Sequence, residues 1–492
     1  MTFRVRAAAT AAVLAIPLLG LDSGAPATAH RTITTASPES QRWFDAGLAR
    51  LYAFNIGESR EDFARAAKAD PGAAMPYWGL MVVETEDINH PTTAAGEVRA
   101  RSALAAARER RASPQERALI AATGVRFTTP GPMDRKYRAL RAAMRAFVDR
   151  YPDDPDAADL ALDAGLLVGE DFSDATGDLT AEGKRMAADA ERAHVVDPGN
   201  LGEHHFAIHF WEQAKQPARA LADADYLAGL AYEPGESHLP HMAGHIYVRL
   251  GALDRMLAVN QVAVANDAAY FAQGDGKSPG QQYMRTYHDH DVEFIAYGLT
   301  TVGLEDEALA AVAQTDPRLQ AHTAIRLHRD VDAQRIVAPD DHFSLGILAL
   351  RAGNYADEQT ERDALAKQAD ADRVELAYLD GQRARVLGDP AAALAAFARG
   401  LQLERAGYIG DPRHQWWAPV GEAYGAELLR AGRPAEAERV FNDELKRFPH
   451  DPRLLYGVVA ARKAQGIDDA TDQSELIRTW RAPGAITLDQ LG

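Results

Sequence analysis

The chain has 492 residues, a length that on its own suggests about three domains. It carries a formal net charge of −18, and it contains no cysteine. A strongly acidic chain repels phosphate backbones, so we expect no nucleic-acid partner. The lack of cysteine excludes disulfides and thiolate ligands, so any bound metal must be held by imidazole and carboxylate groups.

The first 29 residues have the pattern of a secretory signal peptide. A basic start precedes an apolar run over residues 7–21, and an Ala-x-Ala sequence ends at Ala29. The run is too short for a comfortable membrane span, and no other stretch is apolar enough to form one. We expect a secreted or extracytoplasmic protein cleaved near Ala29, with an uncleaved anchor as the alternative. Cleavage there would make His30 the N-terminal residue. An N-terminal histidine can chelate copper through its amine and imidazole together, and such a site needs a second histidine nearby.

Glycines end helical patterns at a nearly regular interval in the second half of the chain. They are Gly353, Gly388, Gly432 and Gly466, with spacings of 35, 44 and 34 residues. The tetratricopeptide (TPR) repeat has a period of 34 residues and two antiparallel helices per unit. Phe397 and Phe441 lie where the second helix of such a unit packs an aromatic side chain.

The same helix–turn–helix pattern begins early, over residues 44–54 and 58–69, and strand signals are scarce. We therefore predict an all-α fold, a TPR-like α-solenoid of antiparallel helix pairs in which each repeat buries its apolar face against its neighbours. The predicted divisions are a signal peptide (1–29), N-terminal helical repeats (30–200), histidine-rich repeats (201–300) and C-terminal TPR repeats (301–492).

Three insertions interrupt the repeats, over residues 169–183, 272–280 and 405–417. Insertions in a solenoid usually gather on one face, and that face often binds a ligand. The 272–280 insertion leads into the last histidine segment, so we interpret it either as a lid or as a mobile surface loop.

Several segments resemble a family of large bacterial TPR proteins, many of them exported and most known only by their repeats. These segments are residues 51–55, 70–79, 238–247 and 416–420. The resemblance covers nearly the whole mature chain, and its most specific part is the His-x-x-His-x-x-x-His segment. It implies the TPR fold and almost nothing about activity. This chain has Ile56 where the family usually has a histidine. It has Glu293 where the family has a second histidine, and this change replaces one metal-donating side chain with another.

Metal-donating side chains recur at helical spacing on three segments, and each segment presents them on one face because a helix turns 100° per residue. The predicted metal ligands are His205, His209 and Glu212, then His238, His241 and His245, then His290 and Glu293. Repeat packing does not require imidazoles, and burying so many without partners is costly. We predict one or two transition-metal ions, namely iron, copper, zinc or manganese. A metal-free polar network and a solvated histidine surface are the alternatives.

Three side chains are candidate catalytic residues, namely Glu212, Tyr247 and Tyr287, although tyrosines in repeat helices are more often packing residues. His204 and His288 point to other faces, which favours a surface or a supporting position. We predict a metalloenzyme that oxidises or hydrolyses a small molecule or a peptide. The alternatives are a non-catalytic TPR scaffold that binds a protein or peptide around a structural metal, and a metal carrier.

Overall fold

The computed structural model describes residues 25–85, 92–169, 172–173, 178–274, 278–368, 373–407, 411, 419–467 and 470–492. Over these residues the chain forms 24 α-helices in sequential antiparallel pairs. Extended backbone pairing among them is limited to isolated bridges, such as Pro26 with Ala231. The predicted all-α, TPR-like solenoid is therefore confirmed.

The helices of the N-terminal half are α1 (Pro38–Tyr52), α2 (Ile56–Ala69), α3 (Met75–Val82), α4 (Ala94–Arg108), α5 (Pro114–Thr128), α6 (Met133–Arg150), α7 (Ala157–Val168), α8 (Ala181–Val196), α9 (Leu201–Trp211), α10 (Leu221–Ala228), α11 (His238–Arg249) and α12 (Leu253–Phe271). Those of the C-terminal half are α13 (Pro279–Val302), α14 (Glu305–Val312), α15 (Pro317–Arg326), α16 (Asp330–Ile336), α17 (His342–Arg351), α18 (Tyr355–Leu365), α19 (Arg373–Val386), α20 (Pro390–Ala406), α21 (Val420–Arg430), α22 (Pro434–Leu445), α23 (Pro452–Ala464) and α24 (Ala470–Thr479).

The predicted helix ends at glycine are confirmed in the C-terminal repeats. Gly353 and Gly432 have φ values of 73° and 70°, a left-handed conformation that glycine adopts without a Cβ clash. Asn354 then begins α18 by accepting a hydrogen bond from the N–H of Asp357. One helix therefore ends and the next begins within a few residues, and this short turn recurs in each repeat.

Second-helix aromatics fill the space between neighbouring helices, as TPR packing requires. Phe441 of α22 is fully buried, and it lies against Gly425 and Gly457 of the flanking helices so closely that a Cβ on either would fall within 2.5 Å of its ring. Phe63 of α2 packs against Gly47 and Gly79 in the same way. Large and small residues therefore interlock along the solenoid.

The solenoid curves so that distant repeats meet around α13. Tyr270, at the end of α12, donates its hydroxyl to the Glu58 carboxylate on α2 at 3.0 Å. On the C-terminal side, Arg453 of α23 donates to the carbonyl oxygen of Thr300 on α13 at 3.0 Å. Helix α13 therefore contacts both α2 of the N-terminal repeats and α23 of the C-terminal repeats.

One buried apolar core extends from Ala27 to Ala423, and a second extends from Ala426 to Leu491. The predicted divisions at residues 200 and 300 lie inside the first core and remain predictions. Residues 1–24 of the predicted signal peptide lie outside the described residues, as do parts of all three predicted insertions. In the described part of the chain, no helix has both the length and the apolar character that a membrane crossing needs.

Candidate metal centre

Two central helices are buried along their entire length. All 11 residues of α9 and all 12 of α11 are shielded from solvent. Asn200 begins α9 by accepting hydrogen bonds from the N–H groups of Gly202 and Glu203. Helix α11 begins at His238, so Pro240 falls in its first turn, where a missing N–H does no harm. The histidine faces of both helices are therefore enclosed within the protein.

The structure brings the six predicted histidine ligands together as two groups of three. Within each group the potential ligand atoms lie within 4.8 Å of one another. The first triad is His205, His209 and His238, and the second triad is His241, His245 and His290. All but His290 are at most 4% exposed, so the alternative of a solvated histidine surface is wrong.

In the first triad, hydrogen bonds at Nδ1 direct the Nε2 lone pairs inward. Nδ1 of His205 lies 2.6 Å from the carbonyl oxygen of Tyr52, which can only accept, so Nδ1 carries the proton. Nδ1 of His209 donates to Oε1 of Glu212 at 2.9 Å, and its buried Nε2 receives no hydrogen bond from the described residues. Nε2 of His238 lies 3.1 Å from Nε2 of His205. Three ligating nitrogens thus converge on one point.

The second triad is built in the same way. Nδ1 of His241 lies 2.7 Å from Oδ1 of Asn260, whose own N–H group donates to the carbonyl oxygen of Met256 and so fixes the amide orientation. Nδ1 of His245 lies 2.9 Å from Oε2 of Glu212. Both Nδ1 atoms are therefore donors. The two Nε2 atoms lie 2.9 Å apart. Burial opposes the charge of His245, but Glu212 and Asp411 outweigh it and raise its pKa, which favours an Nε2–H on His245 that donates to Nε2 of His241.

Two lone pairs that face each other at this distance repel, unless a proton or a cation lies between them. A tetrahedral ion with nitrogen ligands about 2.0–2.1 Å away separates those nitrogens by about 3.4 Å, so a small outward movement admits one. The buried Nδ1 of His238 has no hydrogen bond from the described residues. Whichever nitrogen of His238 carries the proton, one nitrogen of this imidazole remains unsatisfied.

Glu212 joins the two triads from behind the imidazoles. Both of its oxygens lie against Nδ1 atoms, those of His209 and His245, rather than among the ligating nitrogens. This is the position of a carboxylate that fixes the tautomer and orientation of ligand histidines. Burial opposes the charge of Glu212, but the two imidazoles outweigh it and lower the pKa to about 2. Glu212 is thus an anion at the centre of the site.

Burial favours the neutral form at three of the six histidines. It lowers the pKa of His205 and His238 well below the ordinary value, and it does the same for His241 in the second triad. A neutral imidazole keeps the lone pair that a metal needs. These three side chains are therefore prepared for coordination near neutral pH.

At His290, neighbouring carboxylates favour the protonated imidazole over the neutral form. Burial opposes its charge, but Asp411 and Glu293 outweigh burial and raise the pKa of His290 to about 10. Glu293 lies 2.9 Å from Nδ1 of His290, so this predicted ligand also occupies a supporting position. Asp411 lies 3.4 Å from Nε2 of His290 and 3.6 Å from Nδ1 of His245. It is the carboxylate best placed to reach an ion in the second triad.

Aromatic rings cover the first triad. Phe54 has a φ of 55°, a left-handed conformation that is rare for a bulky residue. Its ring centroid lies 4.5 Å from that of His205 and 5.0 Å from that of His238. Tyr287 also packs against His238, with 4.6 Å between centroids, and its ring lies 6.4 Å from that of Phe54. The junction of α1 and α2 therefore forms an apolar wall for the site.

The other predicted residues fall in different places. Tyr287 lies against the first triad, whereas the hydroxyl of Tyr247 donates to Asp225 at 3.0 Å and lies 2.6 Å from Arg255. The structure thus gives Tyr247 a partner on α10 and no histidine contact among the described residues. His30 bonds to Asp45 and belongs to no metal-ligating group in the described part of the chain.

Sequence reasoning missed the groups that orient the imidazoles. These are Tyr52 through its carbonyl oxygen, Asn260, Asp291 and Asp411, together with the covering ring of Phe54. One signal was present for Asp411, which lies in the insertion that lengthens one glycine spacing to 44 residues. Nothing local distinguishes the others, because they meet the histidines through tertiary packing.

Comparison with known proteins gives structural neighbours and no family. No family model matches the chain, and no curated protein matches it. Among solved structures, the chain is similar to the human IFIT1 dimer with m7Gppp-AAAA at 11% identity, over 91% of each chain, with a TM-score of 0.39. Yeast Tom70 matches at 11% identity, over 90% of this chain and 92% of that chain, with a TM-score of 0.33.

A third neighbour is the TPR domain of P58(IPK), at 11% identity, over 87% of this chain and 98% of that chain, with a TM-score of 0.21. None of these neighbours assigns a role to a residue of the histidine site. The resemblance to exported bacterial TPR proteins therefore stays a prediction.

Proposed function

We propose that the first and second triads bind two transition-metal ions and that the protein is a metal-dependent enzyme. The observation that supports this proposal is the convergence of three imidazoles in each triad, with nitrogen pairs 2.9 Å and 3.1 Å apart. Acceptors lie at the Nδ1 atoms of four of these imidazoles, namely His205, His209, His241 and His245. Imidazole sets of this kind suit zinc, copper and iron.

Three protein ligands favour catalysis over a closed structural site. Structural zinc sites have four protein ligands, whereas catalytic ones keep a position open for water or substrate. The first triad offers three imidazoles, and the second adds Asp411 at its edge. A bound ion would supply Lewis-acid or redox chemistry, which fits hydrolysis or oxidation of a small molecule or peptide.

The residues around the triads have defined tasks in this proposal. Glu212 and Asn260 hold protons on Nδ1 atoms, so that Nε2 stays available. Phe54 excludes water from the first triad, and Tyr287 brings a phenol to its edge. The triads act as one centre because they share α11 and Glu212, with 6.2 Å between the ring centroids of His209 and His245.

A structural role for the metal is the second candidate, favoured by the way the site connects the chain. The first triad is hydrogen-bonded to the end of α1, and the second meets Asp411, 121 residues after His290. Ions at these points would join the N-terminal repeats, the central helices and the C-terminal insertion. The protein would then be a scaffold whose solenoid binds a protein or peptide, or a metal carrier.

Metal content tests the proposal directly. The mature protein is reconstituted separately with zinc, iron, copper and manganese, and bound metal is measured after gel filtration. We expect the two triads to contribute two ions per chain, one lost in His209→Ala and the other in His241→Ala. The control is His342→Ala, which alters a half-buried histidine paired with Glu361 outside both triads. A wild-type protein without stoichiometric metal contradicts the proposal.

Thermal unfolding separates the two roles. If metal removal leaves the melting temperature nearly unchanged while metal-dependent turnover is lost, the ions are catalytic. If the melting temperature falls steeply and no turnover is found with any ion, they are structural.

We also propose export through the N-terminal segment and, from the charge of −18, no nucleic-acid partner. N-terminal sequencing of the secreted protein tests the former.

A further inference from the structure

A third group of metal-donating side chains lies on a different face of α9 from the first triad. We call it the third cluster, and its members are His194 of α8, Glu203 and His204 of α9, and Asp223 of α10. His204, for which the sequence allowed a surface position, is 1% exposed, so that alternative is wrong. One potential ligand atom from each member lies within 4.8 Å of the others.

The hydrogen bonds of His204 point its Nδ1 into the cluster. Its Nε2 lies 3.0 Å from the carbonyl oxygen of Pro198, an acceptor that takes the ring N–H. Nδ1 then faces two carboxylates, with 2.8 Å to Oδ1 of Asp223 and 3.4 Å to Oε2 of Glu203. The ring of Tyr226 stacks on the imidazole at 4.0 Å between centroids and holds its plane.

Glu203 is the second, independent indication of a ligand. Its side chain is 2% exposed, and its Oε2 receives no hydrogen bond from the described residues. The nearest nitrogens are Nδ1 of His204 at 3.4 Å and Nδ1 of His194 at 3.5 Å, too far for a well-formed hydrogen bond to this oxygen. A buried carboxylate oxygen with two imidazoles at this separation has the geometry of ligands around an ion.

We propose that the third cluster is a binding site for a divalent cation such as Zn²⁺, held by two imidazoles and two carboxylates. Four donors of mixed nitrogen and oxygen type suit zinc. Two carboxylates neutralise the charge of the ion, which the neutral imidazoles of the first triad do not. The ion would connect α8, α9 and α10.

The third cluster is more accessible to solvent than the triads. His194 is 51% exposed at its side chain, whereas Glu203 and His204 are buried. An ion therefore enters from solvent along His194, and it exchanges faster than ions in the enclosed triads. His204 and His205 are consecutive, so a helix directs them about 100° apart. The two sites can fill separately, and this inference does not depend on the proposed function.

Zinc binding to the full chain tests the inference. Dialysis against Zn²⁺ with a graded chelator is followed in wild type, His194→Ala and Asp223→Asn. We expect both variants to weaken one site by at least tenfold and to leave the remaining zinc bound. His194 is half exposed, so its replacement leaves the fold intact, as circular dichroism will verify. His342→Ala is the matched control, since it removes a histidine paired with a single carboxylate.

The double variant His209→Ala/His241→Ala separates this site from the triads. One zinc ion that persists in that background and is lost with His194→Ala supports the third cluster, whatever the triads bind. Zinc stoichiometry and affinity unchanged by both His194→Ala and Asp223→Asn would overturn the inference, even if the triads bind metal as proposed.

Discussion

Glu212 at the end of α9 lies against His245 on α11, with 2.9 Å between its Oε2 and the imidazole Nδ1. Its other oxygen accepts the Nδ1–H of His209 at 2.9 Å. One carboxylate therefore sets the tautomer of a histidine in each triad, and its charge is retained because its pKa is lowered to about 2. The two candidate metal sites are coupled through this residue.

Glu212→Gln tests that coupling. The amide keeps the shape of the side chain, but its NH₂ group faces an Nδ1–H and forces one histidine into the other tautomer. We expect metal affinity to fall roughly 10–100-fold, the usual effect of losing an orienting group, with both triads affected. Chelator competition measures the affinities. Glu293→Gln is the control and weakens only the second triad; a normal first triad in Glu212→Gln would contradict the coupling.

Asp451 makes stability depend on pH at a helix start far from the triads. Burial, reinforced by Glu422, raises its pKa to about 7, while it accepts from the N–H groups of Arg453 and Leu454. Because the pKa of Asp451 is higher in the folded state than in the unfolded state, folding favours the protonated carboxyl. Its stabilising contribution is complete below about pH 3.8, the unfolded value, and is lost as the pH rises through about 7.

Asp451→Asn removes this dependence and keeps the helix cap, because asparagine also accepts from backbone N–H groups. We expect the variant to gain up to about 4 kcal/mol over wild type at pH 8 and almost nothing at pH 4. Urea unfolding at both pH values measures the difference. Asp389→Asn, at an exposed cap, should show no such gain. Equal gains at the two pH values would exclude ionisation of Asp451 as the cause.

The fold and the histidine helices were predictable because they depend on local pattern. Glycine at helix ends and an aromatic in each second helix are set by short-range geometry, as Gly432 and Phe441 show. Placement of α11 from His238 onward followed from helix propensity and the tolerance of proline in a first turn. The six histidines of the two triads could therefore be named from sequence.

The division of those histidines between two triads was not predictable from spacing. His238 and His245 share one face of α11, so the sequence groups them in one stripe. They are two turns apart, which separates them by about 10 Å along the axis. His238 consequently meets α9, whereas His245 meets His290 of α13 in the second triad. Which neighbour each turn reaches depends on how the helices cross, and that is a tertiary property.

Phe54→Ala tests the apolar wall of the first triad. The change removes a buried ring that lies against His205 and His238, and we expect it to cost about 3–5 kcal/mol of stability. Water then reaches the first triad, so we expect its metal to dissociate at least tenfold faster, with the second triad unchanged. Phe397→Ala removes an equally buried ring in α20 and should lose stability alone. Equal dissociation rates in the two variants would mean that Phe54 is only a packing residue.

Proton release on metal binding tests the charge state of the second triad. The pKa of His290 is raised to about 10, so this imidazole carries two protons at pH 7 when no metal is bound. A cation at Nε2 must displace one proton, and affinity should rise with pH until about 10. His205 and His238 of the first triad have lowered pKa values, so these two imidazoles should release almost none.

Calorimetry of Zn²⁺ binding at pH 7, in two buffers of different ionisation enthalpy, counts the protons. We expect wild type to release about one proton more per chain than His290→Gln, which cannot hold the second proton of this imidazole. The buffer dependence that remains in the variant comes from other groups with raised pKa values, such as His245. A wild-type enthalpy independent of the buffer would show that Asp411 and Glu293 do not keep His290 charged, and the second triad would then be neutral like the first.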